Sequence, residues 1–370
     1  MREILQQVEA WLSAGRQVAI ATVVRVYKSA PRLPGAVMAV NDRGEVFGSV
    51  SGGCVESALF AEATEILASG RPKLVTYGFA DDQAFEVGLT CGGTIEVFAE
   101  RLDWAPSLLP ELAGALRTER PVLVATVING GPIGAKLLIG AETVSGMTGS
   151  AGLDAALIAE GRAMLRQGAT GLRHFGPDGE QRRDDLTVFL ESFAPPPRMF
   201  VFGAIDFAAA TVRIGKFLGY RVTLCDARPV FATRARFPEA DEVVVQWPHE
   251  YLAETEVGPR DAIAVLTHDS KFDVPVLIEA LRSPAAYIGA LGSRNTHERR
   301  RQELLEAGVN PADLERICSP VGLDIGGHTP EETAVSLAAE LIALRNGRSG
   351  GRLSHSDGRI HREQVQAHSR

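Results

Sequence analysis

Cysteine is scarce in this chain. Its 370 residues hold four, Cys54, Cys91, Cys225 and Cys318, and no C-x-x-C pair. In the first half only Cys54, Cys91 and His174 offer thiol or imidazole donors. A structural zinc site needs four such ligands close together, and an iron–sulfur cluster needs more cysteines, so neither is expected there. A Cys54–Cys91 disulfide is disfavoured as well, because few, dispersed cysteines suit a reducing compartment. Long apolar runs are lacking too. No stretch could span a bilayer, and the N-terminus shows no basic segment leading into an apolar one. The expected location is therefore the cytoplasm, with no membrane partner. A basic excess is also missing: the net charge is -8 at pH 7. Phosphate backbones demand a basic surface, so nucleic acid is excluded as the main partner.

What is present is ordinary globular composition, 45% hydrophobic and 23% charged, over a length that suits two or three domains. The run Pro195-Pro196-Pro197 can continue neither a helix nor a central strand and predicts a stiff connector. Beyond it, apolar strands at 199–202, 221–225, 242–245, 262–267 and 286–291 alternate with helical spacing at 205–218, 274–281 and 296–306. The alternation predicts an α/β domain over 198–346, with right-handed crossovers and a Rossmann-like, doubly wound parallel sheet. Thr329-Pro330-Glu331-Glu332 supplies an N-cap, an N1 proline and a capping-box glutamate for a last helix ending near Asn346. Residues 347–370 are rich in Gly, Ser, Arg and His, which predicts a disordered tail.

Residues 1–194 read as an α+β domain with an internal duplication, about 1–104 and 105–194. QVAIATVV (17–24) resembles PVLVATVI (121–128), and ESALFAEATEILASG (56–70) resembles DAALIAEGRAMLRQG (154–168). Each helix leads to an aromatic-Gly pair, Tyr77-Gly78 and Phe175-Gly176, and then to a closing strand, 94–100 and 186–192. The second copy serves as a control for the first. GSVSGGCVES in copy one becomes TVSGMTGSAGLD, without cysteine; KSAPRLPG (28–35) shortens to NGGPIG (129–134); and the segment holding LTCGG (89–93) is longer in copy one. Loops that only one copy carries are not needed to build the shared fold, which points to a site.

In SGGC, a glycine-rich turn runs into a helix. Exposed N–H groups and the positive end of the helix dipole favour an anion there, and a thiol at such a position gains thiolate character. Ser51, Gly52, Gly53, Cys54 and Glu56 form this candidate site, with Cys91, Gly92 and Gly93 as a second thiol beside glycines. A small buried residue at the end of a turn is the competing reading of Cys54. In the second half, Gly203-Ala-Ile-Asp206 follows the first strand and Asp226 ends the second, where a dinucleotide-binding domain carries its ribose acid. Position 205 should be glycine to admit a pyrophosphate, and here it is isoleucine. His268, Asp269 and Arg294 follow later strands and should converge on the same sheet edge.

The segments SAPRLPGAVM (29–38), GSVSGGCVE (48–56), CGGTIEVF (91–98), LTHD (266–269), YIGALGSR (287–294) and PVGLDIGGHTPEE (320–332) span nearly the whole chain. On them the sequence resembles the XdhC/CoxI family, accessory proteins of xanthine dehydrogenase and related molybdenum hydroxylases. The resemblance implies a chaperone rather than a catalyst. Such a protein binds the finished molybdenum cofactor (molybdopterin) transiently and helps its maturation and insertion into a xanthine dehydrogenase-type hydroxylase. It also implies a homodimer and a cysteine desulfurase as a further partner. On this reading Cys54 and Cys91 contact the molybdenum, Ser51 to Gly53 hold the anionic part, and Arg32 pairs with the phosphate. Two departures stand out: Lys28 where the family has glycine, and GAID at 203–206 where the family has GAGH. The second argues against NAD(P). An NAD(P)-dependent oxidoreductase is the rival reading; the hydroxylase itself is excluded by too few cysteines for its iron–sulfur domains.

Overall fold

The computed structural model describes residues 1–27, 31–78, 93–181 and 183–355. The chain divides between Pro195 and Pro196 into two compact units.

In the first unit the described strands form two antiparallel sheets of one design. Strands β1 (Val18–Tyr27), β2 (Val37–Asn41), β3 (Val46–Gly48), β4 (Lys73–Tyr77) and β5 (Thr94–Arg101) lie in the order β3-β2-β1-β5-β4. Strands β6 (Val122–Asn129), β7 (Lys136–Gly140), β8 (Val144–Met147), β9 (Gly171–Phe175) and β10 (Leu186–Phe193) lie in the order β8-β7-β6-β10-β9. Helices α1 (Leu5–Ser13) and α2 (Glu56–Ser69) belong to the first copy, α3 (Ala105–Arg117) and α4 (Ala151–Gln167) to the second. The likeness extends to irregularities. The β1–β5 ladder skips Val24 and the β6–β10 ladder skips Ile128, which are equivalent positions. Both bulged residues pack with Phe98 and Phe189 in one small cluster, as expected of a bulge that is a built feature.

Strand alternation explains the layering. Ala19, Ala21 and Val23 of β1 face α2, whereas Val18 and Ile20 enter a core shared with α1 and α3. In the second sheet Leu123, Ala125 and Val127 face α4, and Val122 and Val124 enter the same shared core. Each sheet is thus covered by its own helix on one face and joined to the other copy on the opposite face.

In the second unit six parallel strands, β11 (Arg198–Phe202), β12 (Arg221–Cys225), β13 (Glu242–Val244), β14 (Ala262–Val265), β15 (Tyr287–Ala290) and β16 (Ile317–Cys318), lie in the order β13-β12-β11-β14-β15-β16. Counted within the unit this is 3-2-1-4-5-6, the Rossmann order. Met199 and Val201 face one helix layer and Phe200 and Phe202 the other, so β11 is apolar throughout. Helices α5 (Asp206–Phe217), α6 (Pro248–Ala253), α7 (Ser270–Arg282), α8 (Arg294–Glu306), α9 (Pro311–Leu314) and α10 (Pro330–Arg345) complete it. The Thr329–Glu332 capping box is present at the start of α10. Helices α7 and α8 start earlier than their apolar spacing predicts, because Asp269 and Ser293 accept N-cap hydrogen bonds ahead of the first apolar residue. A short 3₁₀ turn at Leu353–His355 lies in the segment expected to be a tail, and residues 356–370 lie outside the described residues.

Candidate functional site

Glu56 is the first residue of α2, and its carboxylate turns back onto the loop before it. Oε1 accepts from Ser49 Oγ at 2.6 Å, Ser51 N at 2.9 Å, Gly52 N at 3.1 Å and Val50 N at 3.3 Å. Oε2 accepts from Gly53 N at 2.8 Å, Val55 N at 3.2 Å and the Ser51 hydroxyl. Ser51 Oγ in turn accepts from Cys54 N at 3.0 Å and Val55 N at 3.1 Å. Gly52 and Gly53, at φ 78° and 121°, let successive N–H groups point inward, which side chains would resist. Burial by itself would raise the Glu56 carboxyl, but the hydroxyl and amide donors outweigh it and hold its pKa at about 2.

This overturns one expectation. The donors of SGGC do form an anion nest, but its occupant is the chain's own Glu56. Ser51, Gly52 and Gly53 are therefore not open to a ligand's phosphate while Glu56 is in place. Cys54 stands beside the nest, half-buried, with its side chain against the core of the first copy. Cys91 and Gly92 lie outside the described residues; Gly93 is buried just before β5.

Arg32 occupies a different place. It is exposed on an open groove of about 580 Å³ lined also by Arg2, Leu33, Thr170 and Ser192, and it lies 3.6 Å from Glu3. None of Ser51 to Glu56 lines that groove.

The Rossmann edge shows a second internal occupancy. Gly203, at φ 107°, lets the β11 turn pass Thr267, since a Cβ would sit 2.8 Å from its methyl. Asp226 is buried at the end of β12 and accepts from Ala204 N at 2.7 Å, Arg228 N at 2.9 Å and both arms of the Arg228 guanidinium at 2.8–2.9 Å. Burial raises the Asp226 carboxyl, and Arg228 with the two amides brings it below its ordinary value. The acid expected for ribose is thus already satisfied, and exposed Asp206 heads α5 where a phosphate would need neutral amides. Asp269 caps α7 by accepting from Lys271 N at 3.1 Å, and exposed His268 precedes it. Arg294 opens α8 and is exposed. Thr267, Asp273, Arg300 and the Leu291 carbonyl tie the loops after β14 and β15 together, with Arg300 buried 2.5 Å from Asp273. These inward groups were missed from sequence; a buried arginine on a mostly polar helix gave no periodic signal.

Two further thiols lie in the second unit. Burial pushes Cys225 up to about 12, and burial with nearby Glu340 does the same for half-buried Cys318. Among the described residues no group of three or more His, Cys, Asp or Glu side chains converges as a metal site.

Comparison with known proteins places these features in context. A model described as XdhC Rossmann domain matches residues 199–341, and one described as XdhC and CoxI family matches 11–78 and 115–176, one stretch in each copy. The chain is 31% identical over 342 residues to a Bacillus subtilis protein whose name makes it a probable xanthine dehydrogenase component, covering 91% of this chain and 96% of that one. It is 28% identical over 344 residues to the molybdenum cofactor insertion chaperone PaoD of Escherichia coli, covering 93% and 88%. A solved structure named a xanthine dehydrogenase from Bacillus halodurans superposes with a TM-score of 0.64 at 26% identity, covering 95% and 97%.

Proposed function

The chain belongs to the XdhC and CoxI family, and from that premise we propose that it is a molybdenum-cofactor chaperone serving insertion into a xanthine dehydrogenase-type hydroxylase. The observation that carries this reading is the loop at 49–55. It is a densely hydrogen-bonded departure from the repeat symmetry, and it places a thiol where the second copy has glycine. Counting back from the equivalent helices, Cys54 corresponds to Gly152.

The thiol suits the cofactor's soft, sulfur-bound metal. When bound, the cofactor carries the redox centre that the hydroxylase uses; this chain's task is to hold it and release it. The loop amides do not suit its phosphate, because Glu56 holds them. Arg32 is the cation of the expected set in this unit and can pair with phosphate by a charge-assisted bond. The groove around Arg32 falls in the size range of small-molecule sites. Within this reading the protein is a cytoplasmic homodimer that also docks a cysteine desulfurase; light scattering and a pull-down between purified proteins test those two points. The rival NAD(P) reading loses its support, since Asp226 is committed to Arg228.

The test is co-expression with a cofactor-synthesis pathway, followed by molybdenum and pterin measurements per purified chain. The wild type should carry both. Chains that reproducibly carry neither sink the proposal.

A further inference from the structure

We propose that Glu56 is the positioning residue of this site: a built-in anion that holds the 49–55 loop in one shape and thereby sets where Cys54 is presented. The inference rests on the cofactor-chaperone reading for its purpose, but its geometry stands on the loop alone. Seven hydrogen bonds converge on one carboxylate, from two hydroxyls and five backbone N–H groups. Cys54 is reached in two links, since its N–H donates to Ser51 Oγ and Ser51 donates to Glu56.

The second copy shows that this network is not simply what the fold requires to start a helix. At the equivalent position, among the described residues, the Asp154 carboxylate accepts from Thr148 N at 2.9 Å and Thr148 Oγ1 at 2.6 Å. Helix α4 is started by an ordinary Ser150 cap, which accepts from Leu153 N at 3.2 Å. Helix α2 has no side-chain cap at its N-cap residue, Val55. Glutamate is also the length the loop needs. Its extra methylene reaches past the first turn to Gly52 and Gly53, which Asp154 does not do for the matching residues of its own loop. A Cβ on Gly152 would lie 2.3 Å from the Asp178 carbonyl oxygen, so a folded turn closes over that position in copy two. In copy one the position carries a thiol.

A neutral amide of the same size cannot replace the carboxylate, because its NH₂ group would face N–H donors. Glu56→Gln should therefore free the loop without touching the core. The full-length protein should show amides 50–53 and 55 exchanging with solvent about tenfold faster, with the rest of the chain unchanged. Cys54 should alkylate with iodoacetamide several-fold faster relative to Cys225 and Cys318. Glu56→Asp, which keeps the charge one methylene short, should fall between the two and guards against a glutamine variant that fails to fold. Folded variants with wild-type exchange and wild-type alkylation overturn the proposal. Cofactor retention separates the inference from its premise. If Glu56 acts through Cys54, the loss caused by Glu56→Gln should vanish in a Cys54→Ser background. Equal, additive losses in the two backgrounds overturn the link to Cys54. If neither variant alters cofactor content while exchange and alkylation still respond, the link between this loop and the cofactor fails and the positioning role survives; chains that carry no cofactor at all would instead sink the chaperone reading.

Discussion

The two copies within the first unit share strand order, bulge position and helix placement, yet beyond their loop lengths they differ at three matched positions that bear on charge and thiol placement. Thr22 and Thr126, Phe98 and Phe189, and Glu100 and Glu191 occupy matching ladder positions. The symmetry breaks at Val37, whose match is Lys136. It breaks again at Cys54, whose match is Gly152, and at Glu56, whose match is Asp154. The shared positions build the fold. The unshared ones divide into a buried charge that ties the copies together and a surface loop that presents a thiol.

The largest expected effect concerns the buried charge. Lys136 Nζ lies 2.7 Å from Glu100 and 3.0 Å from Thr126 Oγ1, over the Phe98 and Trp104 rings, beside a cavity of about 30 Å³. Lys136→Val imposes the first copy's residue on the second. It leaves Glu100 buried without its partner and should cost about 3–5 kcal/mol in urea unfolding. Adding Glu100→Gln should recover part of that loss; a single variant of near wild-type stability would mean that the ion pair does not tie the copies together.

Next in size is Gly152→Ala. The new methyl meets the Asp178 backbone, which cannot yield as a flexible side chain would, so about 2–3 kcal/mol should be lost. The same exchange at the matching site, Cys54→Ala, should cost less than about 1 kcal/mol, and equal costs would deny that copy one has room there.

Acid should distinguish Glu56 from its surroundings. Its folded pKa of about 2 lies below the ordinary value of 4.5. The stability it adds is therefore complete above pH 4.5 and is lost as pH falls through about 2. The carboxylate is half-exposed, so the discounted contribution is about 1–2 kcal/mol. The difference in unfolding free energy between wild type and Glu56→Gln should shrink between about pH 6 and about pH 3; a pH-independent difference would place the donors elsewhere.

The smallest effect on the fold, and the one aimed at function, is Cys54→Ser. Stability should change by about 1 kcal/mol or less, while retained molybdenum and pterin should fall about tenfold, equivalent to about 1.4 kcal/mol of binding. Cys91→Ser, run in parallel, asks whether the second thiol belongs to the same site. Full retention in both variants would leave Arg32 as the binding group of the expected set.

Much of this architecture was legible in the residues. Alternating apolar strands and amphipathic helices announced the Rossmann unit, because burial on both faces of a parallel sheet needs continuous apolar runs. Repeated words such as VAIATVV and VLVATVI exposed the duplication. The boundaries of α7 and α8 were less legible, since their first turns are polar and set by Asp269 and Ser293. The site was legible only as a set of donors. SGGC and GAID announce convergent N–H groups, and Glu56 and Asp226 were singled out, but as ligand contacts.

By itself, then, the sequence determined which segments become strands and helices, how often the pattern repeats, and where glycines open the backbone; these depend on local geometry and on the period of apolar residues. Tertiary structure decided which distant groups meet and which local contacts close. Glu56, Arg228 and Glu100 are each tethered beside a complementary group, and a tethered group competes at an effective concentration that a free ligand seldom matches. For Glu100 and Lys136, far apart along the chain, which tether closes depends on positions in space; for Glu56, and for Arg228 with Asp226, the partners are sequence neighbours and the turn of the loop brings them together. The anion nest, the acid at the end of β12 and the lysine between the copies all found their partners within the protein itself.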